Sequence, residues 1–229
     1  MIDIHTHILP EVDDGSTNLD SSIAMLSECV KQGTTDIILT PHYRKEYKLK
    51  ANELKEKFNK FKDCVAKSGF AVNLYLGQEV FIEKDYKTLF NDKSILSIND
   101  GKYVLIEFDY NVKRDVTEVV YDLTRMGYTP IIAHIERYIN YDVDLAAEVK
   151  ELGGFIQINA ESLVGKQKRA FGKKVKRLLK EDLVDFIASD YHFDRENYLE
   201  KAQTYVKKKY GEERAQKIFI ENAKKIIEG

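Results

Sequence analysis

The chain has 229 residues, with 36 Lys and Arg against 38 Asp and Glu, a formal net charge of −2. That balance leaves no basic excess for gripping nucleic acid, and no apolar run is long enough to insert across a bilayer. A hydrophobic content of 43% with 32% charged residues fits a soluble globular enzyme-like chain, and the lack of the basic and apolar regions of a secretion signal makes the cytoplasm the expected location.

The chain opens on a strand, Met1-Ile2-Asp3-Ile4-His5-Thr6-His7. Side chains alternate faces along a strand, so Asp3, His5 and His7 are expected on one face and Ile2 and Ile4 on the other. Two imidazoles two positions apart, roughly 6.6 Å along the strand, can converge on one metal ion. A polar loop over 11–18 carries Asp13, Asp14 and Gly15. A helix is expected over 22–31, capped by Asp20 or Ser21 and ended by Gly33. Residues 36–40 read as a buried strand, with Pro41-His42-Tyr43 as its exit loop. A charged helix over 52–67 places Leu54, Phe58, Phe61 and Val65 at helical spacing.

Residues 72–80 read as one strand containing Glu79, followed by a short helix over 84–90. A strand over 104–108, a helix over 116–126, a strand over 130–134 and a helix over 145–152 come next. The remainder is a strand over 155–159, a basic helical stretch over 173–180, a strand over 184–190 and two charged helices. The basic segment 166–180 reads as a solvated surface. This alternation implies parallel strands with helices outside. About seven strands, with no internal repeat or linker, point to a single domain over 1–229. A closed or nearly closed β/α barrel is the expected architecture, and an open doubly wound sheet is the other arrangement the pattern allows. Cys29 and Cys64 both fall on expected helices, away from any histidine or phosphate-cradling loop, so they read as buried free thiols rather than nucleophiles.

All five histidines sit at strand ends: His5 and His7 on the first strand, then His42, His134 and His192. Glu79, Glu107 and Asp190 occupy similar places, and Asp14 lies in the first loop. The C-terminal strand ends of a parallel barrel form one catalytic rim. So many carboxylates in one place repel one another unless cations compensate. Nitrogen and oxygen donors without thiolates suit manganese, iron or zinc. Nine candidate ligands are too many for one ion and fit two or three. A buried hydrogen-bonded network without metal is the competing reading.

The stretches D-I-H-T-H (3–7), T-P-H (40–42), G-Q-E-V (77–80), I-E-F (106–108), A-H-I-E-R (133–137) and A-S-D-Y-H (188–192) resemble the PHP (polymerase and histidinol phosphatase) family. The matches run in family order over essentially the whole chain. Within the family, the opening H-I-L-P-E-V-D-D-G-S and the compact length resemble bacterial manganese-dependent protein-tyrosine phosphatases of capsule and exopolysaccharide synthesis, the CpsB/YwqE type. The resemblance implies a distorted (β/α)7-type, TIM-like barrel and a site of two or three ions. By position, His5, His7, Glu79 and Asp190 would ligate a first ion, Glu79, Glu107 and His134 a second, and Asp14, His42 and His192 a third. Manganese is the implied metal, and iron, cobalt or zinc would suit the same donors. Arg137 matches a phosphate-binding arginine, and Arg195 matches a second one less closely because loop spacing varies there. The implied substrate is a phosphotyrosine protein, a membrane-associated tyrosine autokinase. Two departures from the family pattern are Ile135, which replaces a proline, and Tyr191, which replaces a small residue and is expected to narrow the substrate entrance.

The chemistry this implies is metal-assisted hydrolysis of a phosphomonoester, with Arg137 holding nonbridging oxygens. Asp190 or His192 would assist proton transfer, and no residue stands out as general acid. Three other readings remain at this point: a histidinol-phosphatase-like small-molecule phosphomonoesterase, a nuclease-like metal-dependent hydrolase, and a noncatalytic metal-stabilised scaffold. The intact donor set argues against the scaffold.

Overall fold

All the paired strands run parallel, and they fall into two sheets. The computed structural model describes residues 1–111, 115–139 and 143–229. In chain order the elements are β1 (Ile2–Thr6), α1 (Leu19–Lys31), β2 (Asp36–Leu39), β3 (His42–Tyr43), α2 (Ala51–Lys67), β4 (Asn73–Leu76), β5 (Glu79–Phe81), α3 (Tyr86–Asn91), β6 (Tyr103–Glu107), α4 (Val116–Arg125) and β7 (Thr129–Ile132). They continue with α5 (Val143–Glu151), β8 (Phe155–Asn159), α6 (Ala160–Leu163), α7 (Arg169–Lys180), β9 (Phe186–Ala188), α8 (Leu199–Tyr210), α9 (Glu212–Gln216) and α10 (Asn222–Glu228). One sheet has the order β1-β2-β4 and the other β3-β5-β6-β7-β8-β9.

The expected continuous barrel ladder is therefore met in a coarser form, as a curled parallel α/β sheet with two breaks. Both breaks fall beside the polar cluster. Between β2 and β3, Pro41 has no amide hydrogen to give the ladder, and the His42 N–H turns instead to Asp13 Oδ2 at 3.0 Å. Between β4 and β5, Gly77 lies so close to Ile98 that an added Cβ would stand 2.9 Å from Ile98 Cγ1. The expected strand over 72–80 is thus two strands with a kink. The sheets meet again where Asp190 N–H reaches the His5 carbonyl at 3.0 Å and His7 N–H reaches the Tyr191 carbonyl at 3.0 Å.

The apolar half of the interior supports the rim from below. Ile2, Ile4, Ile38, Leu105, Ile131, Phe186 and Ala188 pack together, with Ala223 and Ile226 of α10 closing the far end. Ile2 and Ile4 thus face inward, on the side from which the site residues also project. β1 changes register between Asp3 and Thr6, where a bulge inserts one extra residue against β2. A bulge re-aims the side chains beyond it, so His5 and His7 share the interior with Ile2 and Ile4. Asp3 does not join them, contrary to simple alternation: it is buried and accepts the Ser189 N–H at 3.1 Å.

The outer helices follow their apolar stripes. On α2, Leu54, Phe58, Phe61 and Val65 are buried as their spacing predicts. Helix α1 starts three residues earlier than expected, because Asn18 rather than Asp20 or Ser21 is the cap. Asn18 Oδ1 accepts the Ser21 N–H at 2.8 Å, and Ser21 Oγ accepts the Asn18 N–H at 3.1 Å, a reciprocal capping box. Cys29 is buried in the packing behind α1, in keeping with the inert-thiol reading, while Cys64 is half-buried.

Candidate metal centre

The strand ends bring nine polar side chains into one connected cluster. His5 Nε2 and His7 Nε2 face each other at 3.1 Å. Glu79 Oε2 lies 3.3 and 3.4 Å from them, and Asp190 Oδ1 lies 3.6 and 3.5 Å away. On the other side of Glu79, Oε1 is 2.8 Å from His134 Nε2, which is 3.7 Å from Glu107 Oε2. His42 bridges inward and outward: its Nδ1 is 2.9 Å from Glu79 Oε2 and 3.3 Å from Glu107 Oε1, and its Nε2 is 3.4 Å from Asp14 Oδ1. His192 Nε2 completes the outer edge, 3.7 Å from the same Asp14 oxygen. Backbone strain helps aim two of these groups, since His134 at φ 31° and Asp190 at φ 51° adopt the left-handed region that side chains normally avoid.

Three of these atoms are aimed at shared points rather than at hydrogen-bond partners. His42 Nδ1, Glu79 Oε2 and Glu107 Oε1 are buried without a hydrogen-bond partner despite their short separations. Unpartnered buried carboxylate oxygens are costly. Donors each about 2.1 Å from a common ion stand about 3.0–3.4 Å from one another in octahedral or tetrahedral arrangements. The observed spacings of 2.8–3.7 Å straddle that range. The donor set therefore fits two or three cations, and it holds no thiolate.

The electrostatics agree. Burial alone would lower the His42 pKa, but the charge of Glu79 and contacts to Glu107 raise it to about 11. His7 is likewise pulled down by burial and pushed up by Asp13, to about 9. Burial would raise Glu79, yet His5 and His42 hold it well below the carboxylate range. His192 differs: burial and the neighbouring His7 lower it. Surplus carboxylate charge thus draws protons onto His7 and His42, in positions where a cation would displace them.

A family model described as capsular polysaccharide synthesis, CpsB/CapC, matches residues 1–228. The chain belongs to the CpsB/CapC family. Tyrosine-protein phosphatase CpsB of Streptococcus pneumoniae is 32% identical over 99% of this chain and 98% of its own length. Tyrosine-protein phosphatase YwqE of Bacillus subtilis is 35% identical over 99% of this chain and 91% of its own. Crystal structures of YwqE from Bacillus subtilis and CpsB from Streptococcus pneumoniae are described as those of unique metal-dependent tyrosine phosphatases. The match among them has a TM-score of 0.91 at 34% identity, over 100% of this chain and 94% of the other.

In this CpsB/CapC-family chain a second layer orients the donors, and sequence reasoning did not single it out. Asp13 accepts from His7 Nδ1 at 2.7 Å, which leaves Nε2 free to face the cluster. Gln157 Oε1 is 3.2 Å from His5 Nδ1 and accepts the His134 N–H at 2.8 Å. Gln157 Nε2 donates to Asn159 Oδ1, and Asn159 Nδ2 donates to Asp190 Oδ2, each at 2.8 Å. Such partners fix ring orientation and tautomer at metal sites. Their signal in the sequence was two amides alternating with isoleucines on an otherwise apolar strand. The loop that carries Asp13 and Asp14 is held close by Gly15, where an added Cβ would stand 2.1 Å from the His7 carbonyl oxygen.

Both arginines converge on Asp190. Arg137 Nη2 is 2.8 Å from Asp190 Oδ2, and Arg195 Nη1 is 3.6 Å from the same oxygen. Arg137 thus touches the cluster at Asp190. Burial would raise Asp190, but Arg137 and the histidines keep it far below the carboxylate range. Ile135 is buried in the main core. Tyr191 does not narrow the entrance: it packs behind the rim with Met25, Leu26 and Cys29, because its neighbour His192 takes the inward face.

Proposed function

We propose that this chain is a manganese-dependent protein-tyrosine phosphatase acting on a membrane-associated tyrosine autokinase of capsule or exopolysaccharide synthesis. One observation carries the reading: two guanidiniums meet at the edge of a cluster of nitrogen and oxygen donors. A planar guanidinium fork suits two phosphate oxygens. The names of relatives at 32–35% identity over 99% of the chain favour phosphotyrosine over a free metabolite.

In this reading His5, His7, Glu79 and Asp190 hold one ion, Glu79, Glu107 and His134 a second, and Asp14, His42 and His192 a third. Bound ions supply Lewis acidity, making water nucleophilic near neutral pH and drawing charge from the phosphoryl oxygens. Arg137 and Arg195 hold the nonbridging oxygens and neutralise the charge that builds on them. His192 Nδ1 faces the Asp190 carbonyl at 3.0 Å, which leaves its Nε2 lone pair toward the open edge. Asp190, buried and kept ionised beside Arg137, assists proton transfer by orienting the attacking water as a hydrogen-bond acceptor rather than by keeping its proton. A tyrosine phenolate, with an ordinary pKa near 10, leaves with less help from an acid than an aliphatic alkoxide. We read residues 1–229 as one domain, a distorted seven-stranded barrel in which β2 with β3 and β4 with β5 each count once. The bridge between Thr6 and Tyr191 supports that closure. No helix among the described residues is long and apolar enough to cross a membrane, and the proposed location is the cytoplasm.

The test is to strip the protein with a chelator, restore manganese and follow para-nitrophenyl phosphate hydrolysis, then compete a phosphotyrosine peptide against histidinol phosphate. Manganese-restored turnover with preference for the peptide is expected. Turnover that survives full chelation, or a preference for histidinol phosphate, would contradict the reading.

A further inference from the structure

We propose that Tyr110 is the specificity residue of this site: its hydroxyl fixes the Arg137 fork, and its ring and Ile139 form the wall against which the substrate's aromatic ring lies. The inference rests on the reading of Arg137 as the phosphate-binding group. Tyr110 follows the end of β6 by three residues. Its ring stands edge-on to the His134 ring at 5.9 Å and packs against Tyr138 at 5.8 Å. Its hydroxyl accepts from Arg137 Nη1 at 3.3 Å. Arg137 is therefore held from two sides, by Tyr110 at Nη1 and by Asp190 at Nη2.

Tyr110 also reaches solvent. Tyr110 is 39% exposed, although its ring contacts lie among site residues. Ile139, 67% exposed, lies alongside, its N–H directed to the Tyr110 carbonyl at 3.4 Å. Exposed apolar groups beside a polar cleft are a common mark of a binding surface. Here Tyr110 touches the guanidinium itself through its hydroxyl, and Ile139 adjoins Tyr110. A phosphoryl group on Arg137 places its ester substituent at this lip. An aryl group gains an aromatic contact there, and a short alkyl group gains none. Aromatic pairs of this kind favour offset or edge contacts, and a partly exposed ring leaves room for either. Tyr110 touches substrate through its ring and acts through Arg137 by its hydroxyl, so the two roles separate by substitution.

The experiment uses two inhibitors that share one head group, phenylphosphonate and methylphosphonate, on manganese-loaded enzyme, with metal content measured on each preparation. Tyr110→Ala should lower the phenyl-over-methyl preference in Ki by about 3–10-fold. Tyr110→Phe should keep that preference and weaken both inhibitors together by a few-fold, because only the hydroxyl is lost. With a phosphotyrosine peptide, Tyr110→Ala should raise KM more than it lowers kcat. An unchanged phenyl preference in Tyr110→Ala overturns the wall, and unchanged inhibition in Tyr110→Phe overturns the pinning of Arg137. Arg137→Lys is the control. If it leaves methylphosphonate binding intact, the arginine reading itself has failed. If it weakens binding while both Tyr110 variants behave as wild type, the failure belongs to Tyr110 alone.

Discussion

The inner and outer halves of the donor cluster are built from the same side-chain types but differ in enclosure. Around His5, His7, Glu79 and Asp190 the side chains are at most 3% exposed, and His5, His7 and Asp190 have Gln157, Asp13 and Asn159 fixed behind them. At the outer edge Asp14 is 43% exposed, and Arg44 Nη2 holds its second oxygen at 3.3 Å. Rigid, desolvated donors bind an ion without first being ordered. A solvated carboxylate shared with an arginine must be freed and ordered. Under the proposed ligand assignment, the difference implies a hierarchy in which the inner ions would be structural partners of the rim and the outer ion would be the exchangeable one.

The severest way to break this comparison is to remove an inner donor. His5→Ala should abolish turnover and lower metal content, because His5 adjoins both Glu79 and Asp190. Full activity with unchanged stoichiometry would remove His5 from the site. Next in size is Arg137→Lys, which should keep metals and fold yet lose roughly 10–1000-fold in kcat/KM, about 1.4–4 kcal/mol of transition-state stabilisation. Phosphate and vanadate should also inhibit it less. Loss of metal in that variant would instead show that the arginine serves mainly to hold Asp190. Asp14→Ala should be milder: two ions stay bound, turnover falls, and raised manganese restores part of it. An equal loss of all ions would erase the distinction between the halves.

The smallest effect concerns the metal-free protein. His7 and His42 have pKa values raised from the ordinary 6.5 to about 9 and about 11. Their stabilising contribution is full below about 6.5 and disappears as pH rises through those folded values. The urea midpoint of chelated protein should therefore fall between pH 7 and pH 10. Manganese-loaded protein, whose histidines are already deprotonated, should lack this decline. A midpoint that rises with pH in the chelated protein would contradict the assignment.

The rim was legible in the sequence because the chemistry is local: H-x-H on a strand, and His42, His134 and His192 after strands, say where polar groups gather. Alternating apolar segments likewise announced parallel strands and outer helices. What stayed hidden depends on pairing across the chain. The β1 bulge cannot be seen without β2 beside it, so simple alternation put Asp3 with the histidines. The kink at Gly77 follows from the approach of Ile98, a residue 21 positions away. Asp13 is indistinguishable from Asp14 in sequence, and only the fold directs one behind His7 and the other toward the opening. Tyr191 read as a rim residue because the facing of one residue in a loop is fixed by packing, here against α1.

A multinuclear cation site charged with displaceable protons must exchange those protons for metal. Titrating chelated protein with manganese at pH 7, with bound metal and released protons measured together, reads both quantities at once. Two or more ions per chain are expected, with proton release as His7 and His42 give up their charge. Binding of one ion or none, or filling of the site without proton release, would contradict that expectation.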